Sequence, residues 1–153
     1  MNIQIQPELE QMKHLFLDTN VLIDVLANRE PFSIVAAKLL DCSDKGKLNL
    51  YISALSYSNI YYILRKSCTH KQLVSLLKDI KAITITLDVT DNIISKALEL
   101  GLKDFEDAIQ LQSALSNKKI QAIVTRDTRG FNNHDLAVFT PSEALGIIQT
   151  GGI

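Results

Sequence analysis

Apolar positions along this chain fall into short continuous runs that alternate with stretches of helical spacing. His14-Leu15-Phe16-Leu17 leads into Asp18-Thr19-Asn20 and then into Val21, Leu22, Val25 and Leu26. The first run reads as a buried strand and the second as an amphipathic helix, with Thr19 or Asn20 as its cap. Asn28 to Phe32 reads as a turn, with Pro31 opening a helix through Val35, Ala36, Leu39 and Leu40 that stops at Gly46. Leu48 to Ile52 reads as a second strand. Ser53 or Ser56 then caps a helix carrying Ile60, Tyr61, Ile63 and Leu64. A helix over 71–80 follows Thr69, and the β-branched run 82–87 predicts a third strand. Helices are expected over 90–100, closed by Gly101, and from Asp104 to Asn117. Residues 121–125 and 136–139 read as further strands, and Pro141 opens a last helical turn. Strands alternating with helices predict an α/β fold, a three-layer α/β/α sandwich around a mostly parallel sheet. One domain is expected over 14–146, with 1–13 as an N-terminal tail and 147–153 as a glycine-rich C-terminal tail. Both Met1 and Met12 are compatible starts.

Composition narrows the function. The chain has 153 residues and is 46% apolar, enough for one well-formed core. Its 17 acids and 16 bases leave a net charge of −1, so there is no strongly basic footprint for nucleic acid. Contact with nucleic acid would have to be local or carried by a metal. Cys42 and Cys68 form no CxxC pair and, with three scattered histidines, supply no zinc-ligand set. Two isolated cysteines suit a reduced, cytoplasmic protein, and no apolar run is long enough to span a membrane.

The remaining chemistry lies in carboxylates. In a parallel sheet the carboxyl ends of the strands share one edge, and ligands bind there. Asp18 ends the first predicted strand. Asp127 follows the fourth, in Thr125-Arg126-Asp127. Asp104 and Asp107 open a helix at a spacing that points both the same way. Ser53, Ser56 and Asn59 begin the helix after the second strand. Each acid alone has an ordinary role as a cap, dipole partner or turn residue; Asp24 and Asp41 are expected to be solvated. Four acids at one edge would repel one another without a cation. Mg²⁺ or Mn²⁺ suits such a set, because hard cations favour carboxylate and water oxygen.

In Phe16 to Leu22, Ile52 to Ser56, Asp104 to Gln110 and Ile123 to Asp127, in that order, the sequence resembles the PIN-domain family. These are metal-dependent ribonucleases that include the toxins of bacterial VapC-type toxin–antitoxin pairs. The resemblance spans about residues 14–145. It implies that Asp18, Asp107 and Asp127 are catalytic and hold the metal with Asp104 as a neighbour, and that Thr125 and Asn20 support the site. Asn59 stands where many members carry a glutamate; Asn59-Ile60-Tyr61 resembles a subgroup with asparagine there.

The resulting expectation is a Mg²⁺- or Mn²⁺-dependent endoribonuclease that hydrolyses RNA phosphodiesters, a candidate toxin. Arg29, Arg65, Lys66, Arg126 and Arg129 are the candidate RNA contacts. The resemblance also implies a homodimer and an antitoxin partner. The alternative is a catalytically weak or inactive PIN-fold module that binds RNA or a protein, with Asn59 as its sign. A phosphotransferase using Asp18 as nucleophile is disfavoured, since such enzymes usually place a second Asp where Asn20 stands.

Overall fold

The computed structural model describes residues 12–131 and 135–151. Most of the expected N-terminal tail, and residues 152–153 of the expected C-terminal one, lie outside them. Among the described residues the chain runs β1 (His14–Leu17), α1 (Thr19–Leu26), α2 (Phe32–Asp44), β2 (Asn49–Ser53), α3 (Ala54–Leu64), α4 (His70–Ile83) and β3 (Ile85–Leu87). It continues with α5 (Asp91–Glu99), α6 (Phe105–Leu115), β4 (Ala122–Val124), a 3-10 turn (Thr128–Phe131), β5 (Ala137–Phe139) and α7 (Pro141–Gly151).

The five strands form one parallel sheet in the order β3-β2-β1-β4-β5. The chain builds outward from β1 to β3 and then returns to start β4 on the other side of β1. That reversal is the topological switch point, and it lies between the carboxyl ends of β1 and β4. Register pairs Leu15 with Ala122 and Leu17 with Val124, and Asp18 prolongs the ladder with a 2.9 Å bond from its N–H to the Val124 carbonyl.

Both faces of the sheet are covered, which is why its strands are nearly continuous apolar runs. Leu15, Leu17, Leu50, Ile52, Ala122 and Val124 pack on one side with residues of α1, α2, α3, α4 and α7. Phe16, Tyr51 and Ile123 face the other side, with Leu111 and Ala114 of α6. Ile93 and Ala97 join α5 to Ala108 and Ile109 of α6. The arrangement is the expected three-layer α/β/α sandwich.

Three expectations change locally. The run 82–87 is strand only from Ile85, because Ile83 continues the buried face of α4 and packs on the core. A capping box between Thr69 and Gln72 fixes the start of that helix. Pro31 precedes α2 rather than opening it. The segment from 147 is helix rather than tail as far as Gly151, with Ile147 and Ile148 packed against the core.

Candidate active site

β1 carries Asp18 to the sheet edge with 3% of its surface exposed. The cap of α1 is Asp18 itself, rather than Thr19 or Asn20: its Oδ1 accepts from the Asn20 N–H at 3.4 Å. Asn20 therefore meets the site through its backbone, and the residue is exposed. Oδ1 also accepts from Gln110 Nε2 at 3.0 Å, and Oδ2 accepts from Thr125 Oγ1 at 2.8 Å. Burial pushes the Asp18 carboxyl up, the Thr125 and Gln110 bonds hold it down, and the charge of Asp104 raises it again.

Asp104 caps α6, accepting from the Asp107 N–H at 3.0 Å. Asp107, one turn in and half-buried, faces the sheet edge. Burial, then the charges of Asp104, Asp18, Glu106 and Asp127, push its carboxyl up to about 7. Asp127 is exposed beyond β4, and its N–H donates to Thr125 Oγ1 at 3.1 Å. A side chain built on Gly130 would place Cβ 2.9 Å from Asp107 Oδ2 and 3.6 Å from Asp127 Oδ2. The two carboxylates thus converge on one glycine of the 3-10 turn.

The four acids expected at the edge lie on the same side of the switch point: the charges of Asp18, Asp104 and Asp127 all bear on Asp107, and Asp107 and Asp127 meet at Gly130. Among the described residues no three His, Cys, Asp or Glu side chains are gathered as a ready-made metal centre. What the structure does supply fits a hard divalent ion. The donors are carboxylates, the hydrogen bonds to Asp18 come from neutral groups, and Asp107 is crowded by like charge that a cation would offset. Asn59 is half-buried on α3.

The basic candidates separate. Arg126 turns onto Asp24, with Nε 2.6 Å from Oδ2 and Nη2 donating to Oδ1 at 3.0 Å, and its guanidinium lies 4.1 Å over the Phe32 ring. Arg29 approaches the same carboxylate at 3.9 Å. Arg126 is thus held in an ion pair, and Asp24, expected to be solvated, is 1% exposed. Asp41 does face solvent, in an exposed pair with Lys45. Arg65 and Lys66 follow the last turn of α3, which leaves the edge at Ser53; its 11 residues carry them about 16 Å away. Arg65 stacks at 4.1 Å on the Tyr62 ring. Arg129 is exposed beside Gly130 and remains at the edge.

Sequence reasoning missed Asp24, Gln110, Thr19 and Ser56 as organising residues. For Asp24 and Gln110 the signal was available: each is polar within an apolar stretch of a helix, as in Val21-Leu22-Ile23-Asp24-Val25-Leu26. A helix apolar all round is buried, and a buried polar group needs a partner.

A parallel sheet with acids along the edge of its switch point defines the class, and comparison with known proteins makes it specific. The PIN domain family matches residues 14–129, so the chain belongs to the PIN-domain family. It is 27% identical over 137 residues to ribonuclease VapC1 of Aquifex aeolicus (strain VF5), covering 84% of this chain and 91% of that one. A toxin–antitoxin complex from Klebsiella pneumoniae contains a chain of the same fold: TM-score 0.61, 22% identity, covering 84% of this chain and 98% of the other. VapBC2 from Rickettsia felis, bound to a DNA fragment from its promoter, gives a TM-score of 0.62 at 16% identity, covering 81% and 96%. No helix among the described residues is long and apolar enough to cross a membrane.

Proposed function

We propose that this PIN-domain protein is a divalent-metal-dependent endoribonuclease of the VapC type, the toxin of a toxin–antitoxin pair acting in the cytoplasm. One observation carries the reading. The carboxylates of Asp107 and Asp127 converge on Gly130 at the switch point where β1 delivers the buried Asp18.

Asp18, Asp107 and Asp127 are the residues that would hold Mg²⁺ or Mn²⁺, with Asp104 adding negative charge and Thr125 orienting Asp18. When bound, such an ion lowers the pKa of water and offsets the charge that develops on a phosphate. The chain's own residues do the remaining work. Thr125 links Asp18 to the backbone of Asp127 and so spaces two of the acids. Arg129, exposed beside Gly130, is the base best placed to take the RNA backbone; Arg65 and Lys66 would act only on RNA that reaches along α3. The relatedness to a ribonuclease named VapC1, and a fold shared with chains of toxin–antitoxin complexes, support an antitoxin partner. A homodimer is part of the same reading.

A second reading has its own support: Asn59 brings no charge, and among the described residues no three acids are preassembled as a metal centre. It is a PIN-fold module that binds RNA or a protein without cutting. One experiment separates the two. A mixed structured RNA pool is incubated with wild type and with Asp18→Asn, in Mn²⁺ and in EDTA. The nuclease reading expects cutting by wild type in Mn²⁺ alone. Cutting that survives both EDTA and the substitution is a contaminant's, and absence of cutting together with absence of Mn²⁺ binding favours the binding module.

A further inference from the structure

A buried polar chain runs from α3 through α1 and α6 to Asp18, and its proton directions are fixed. The Thr19 backbone N–H can only donate, so the Gln110 atom 3.0 Å from it is the carbonyl Oε1. That leaves Nε2 to donate to Asp18 Oδ1. Oε1 can only accept, so the Thr19 hydroxyl, 3.2 Å away, gives it a second bond. Ser56 Oγ, 2.8 Å from Thr19 Oγ1, is then the donor of the next link. The order is Ser56 to Thr19 to Gln110 to Asp18, each bond polarising the next in a buried setting. Gln110 is 1% exposed. Two donors from one partner determine which way its amide faces.

From this geometry we infer that Gln110 is a positioning residue for the metal site. It sets the orientation of the Asp18 carboxylate and, being neutral, leaves that group's charge for a cation. A cationic donor in its place would orient Asp18 equally well and cancel the charge. The inference rests on the nuclease reading above and adds to it a residue that touches neither metal nor RNA.

The test is Mn²⁺ binding, read as loss of the free-ion electron paramagnetic resonance signal, on the full-length protein. Gln110→Met keeps length and volume and removes the amide. It is expected to weaken Mn²⁺ binding by about 10–100-fold, the usual range for a group that orients a ligand. Thr19→Val cuts the chain one bond earlier and gives a smaller drop, which Thr19→Ser restores. Ile109→Val, a neighbouring loosening of buried α6 that leaves the chain intact, leaves Mn²⁺ binding unchanged. Gln110→Met that folds by circular dichroism and binds Mn²⁺ as wild type overturns the role, as does an equal loss in Ile109→Val. Should Gln110→Met not fold, the Thr19→Val and Thr19→Ser pair decides: equal binding by both overturns the role. Wild type that cuts RNA while these variants are unchanged defeats only the role of Gln110. Wild type that binds no Mn²⁺ defeats the nuclease reading as well.

Discussion

Gly130 shows how little space separates the acids. Its backbone lies where any larger residue would press on Asp107, the nearest atom being Oδ2 at 2.9 Å from the missing Cβ. The clash is with the far end of a side chain, so the fold can absorb it and the site cannot. Gly130→Ala should therefore stay within about 1 kcal/mol of wild-type stability, since replacing glycine also restricts the unfolded chain. Mn²⁺ binding and RNA cutting should both fall, because Asp107 must swing away from Asp127. Denaturant melts alongside Mn²⁺ titration check this; loss of stability with the ion still bound would reverse the assignment. The acids themselves were legible in the sequence, since Asp18, Asp107 and Asp127 sit where strand ends and a helix start put them. Gly130 was not: a close approach of its backbone to acids elsewhere in the chain leaves no local signal.

At the level of elements, the Asp24–Arg126 pair joins the last turn of α1 to the turn after β4, one residue before Asp127. Removing one partner of a buried pair costs roughly 3–5 kcal/mol; with the Arg126 side chain 32% exposed, about 2 kcal/mol is expected for Asp24→Ala. Asp24→Leu combined with Arg126→Met should recover most of that loss, because the cost comes from an uncompensated charge. Urea melts of the two single variants and the double one check this, and a double variant as unstable as the sum of the singles would show that the charges themselves carry stability. Strand and helix order was legible because each element has its own period and stop, as at Gly46 and Gly101, which both adopt positive φ. The boundary between α4 and β3 was not, since Ala82 and Ile83 suit either element and burial against the core decides. The inward turn of Asp24 was missed because a lone acid on a helix is usually solvated.

For the whole molecule, charge balance limits how nucleic acid can be held. A net charge of −1 provides no long-range attraction, and the folded chain reduces the supply further. Arg126 is committed to Asp24, Arg29 leans on the same acid, and Arg65 and Lys66 stand beyond the far end of α3. Of these five candidate contacts, Arg129 is the one that remains beside the acids. RNA binding by the non-cutting Asp18→Asn protein should therefore depend weakly on salt. Each phosphate neutralised on a single strand contributes a slope of about −0.7 to log K against log salt. Arg129 with one or two more distant bases gives a slope between about −0.7 and −2. Arg129→Ala should flatten it by about 0.7, whereas Arg126→Ala should lower stability and leave the slope in place. Fluorescence anisotropy with a labelled RNA across a salt series measures both. A slope steeper than about −4 would require more phosphate contacts than this edge offers. It would point to a basic surface assembled from more than one copy of the chain.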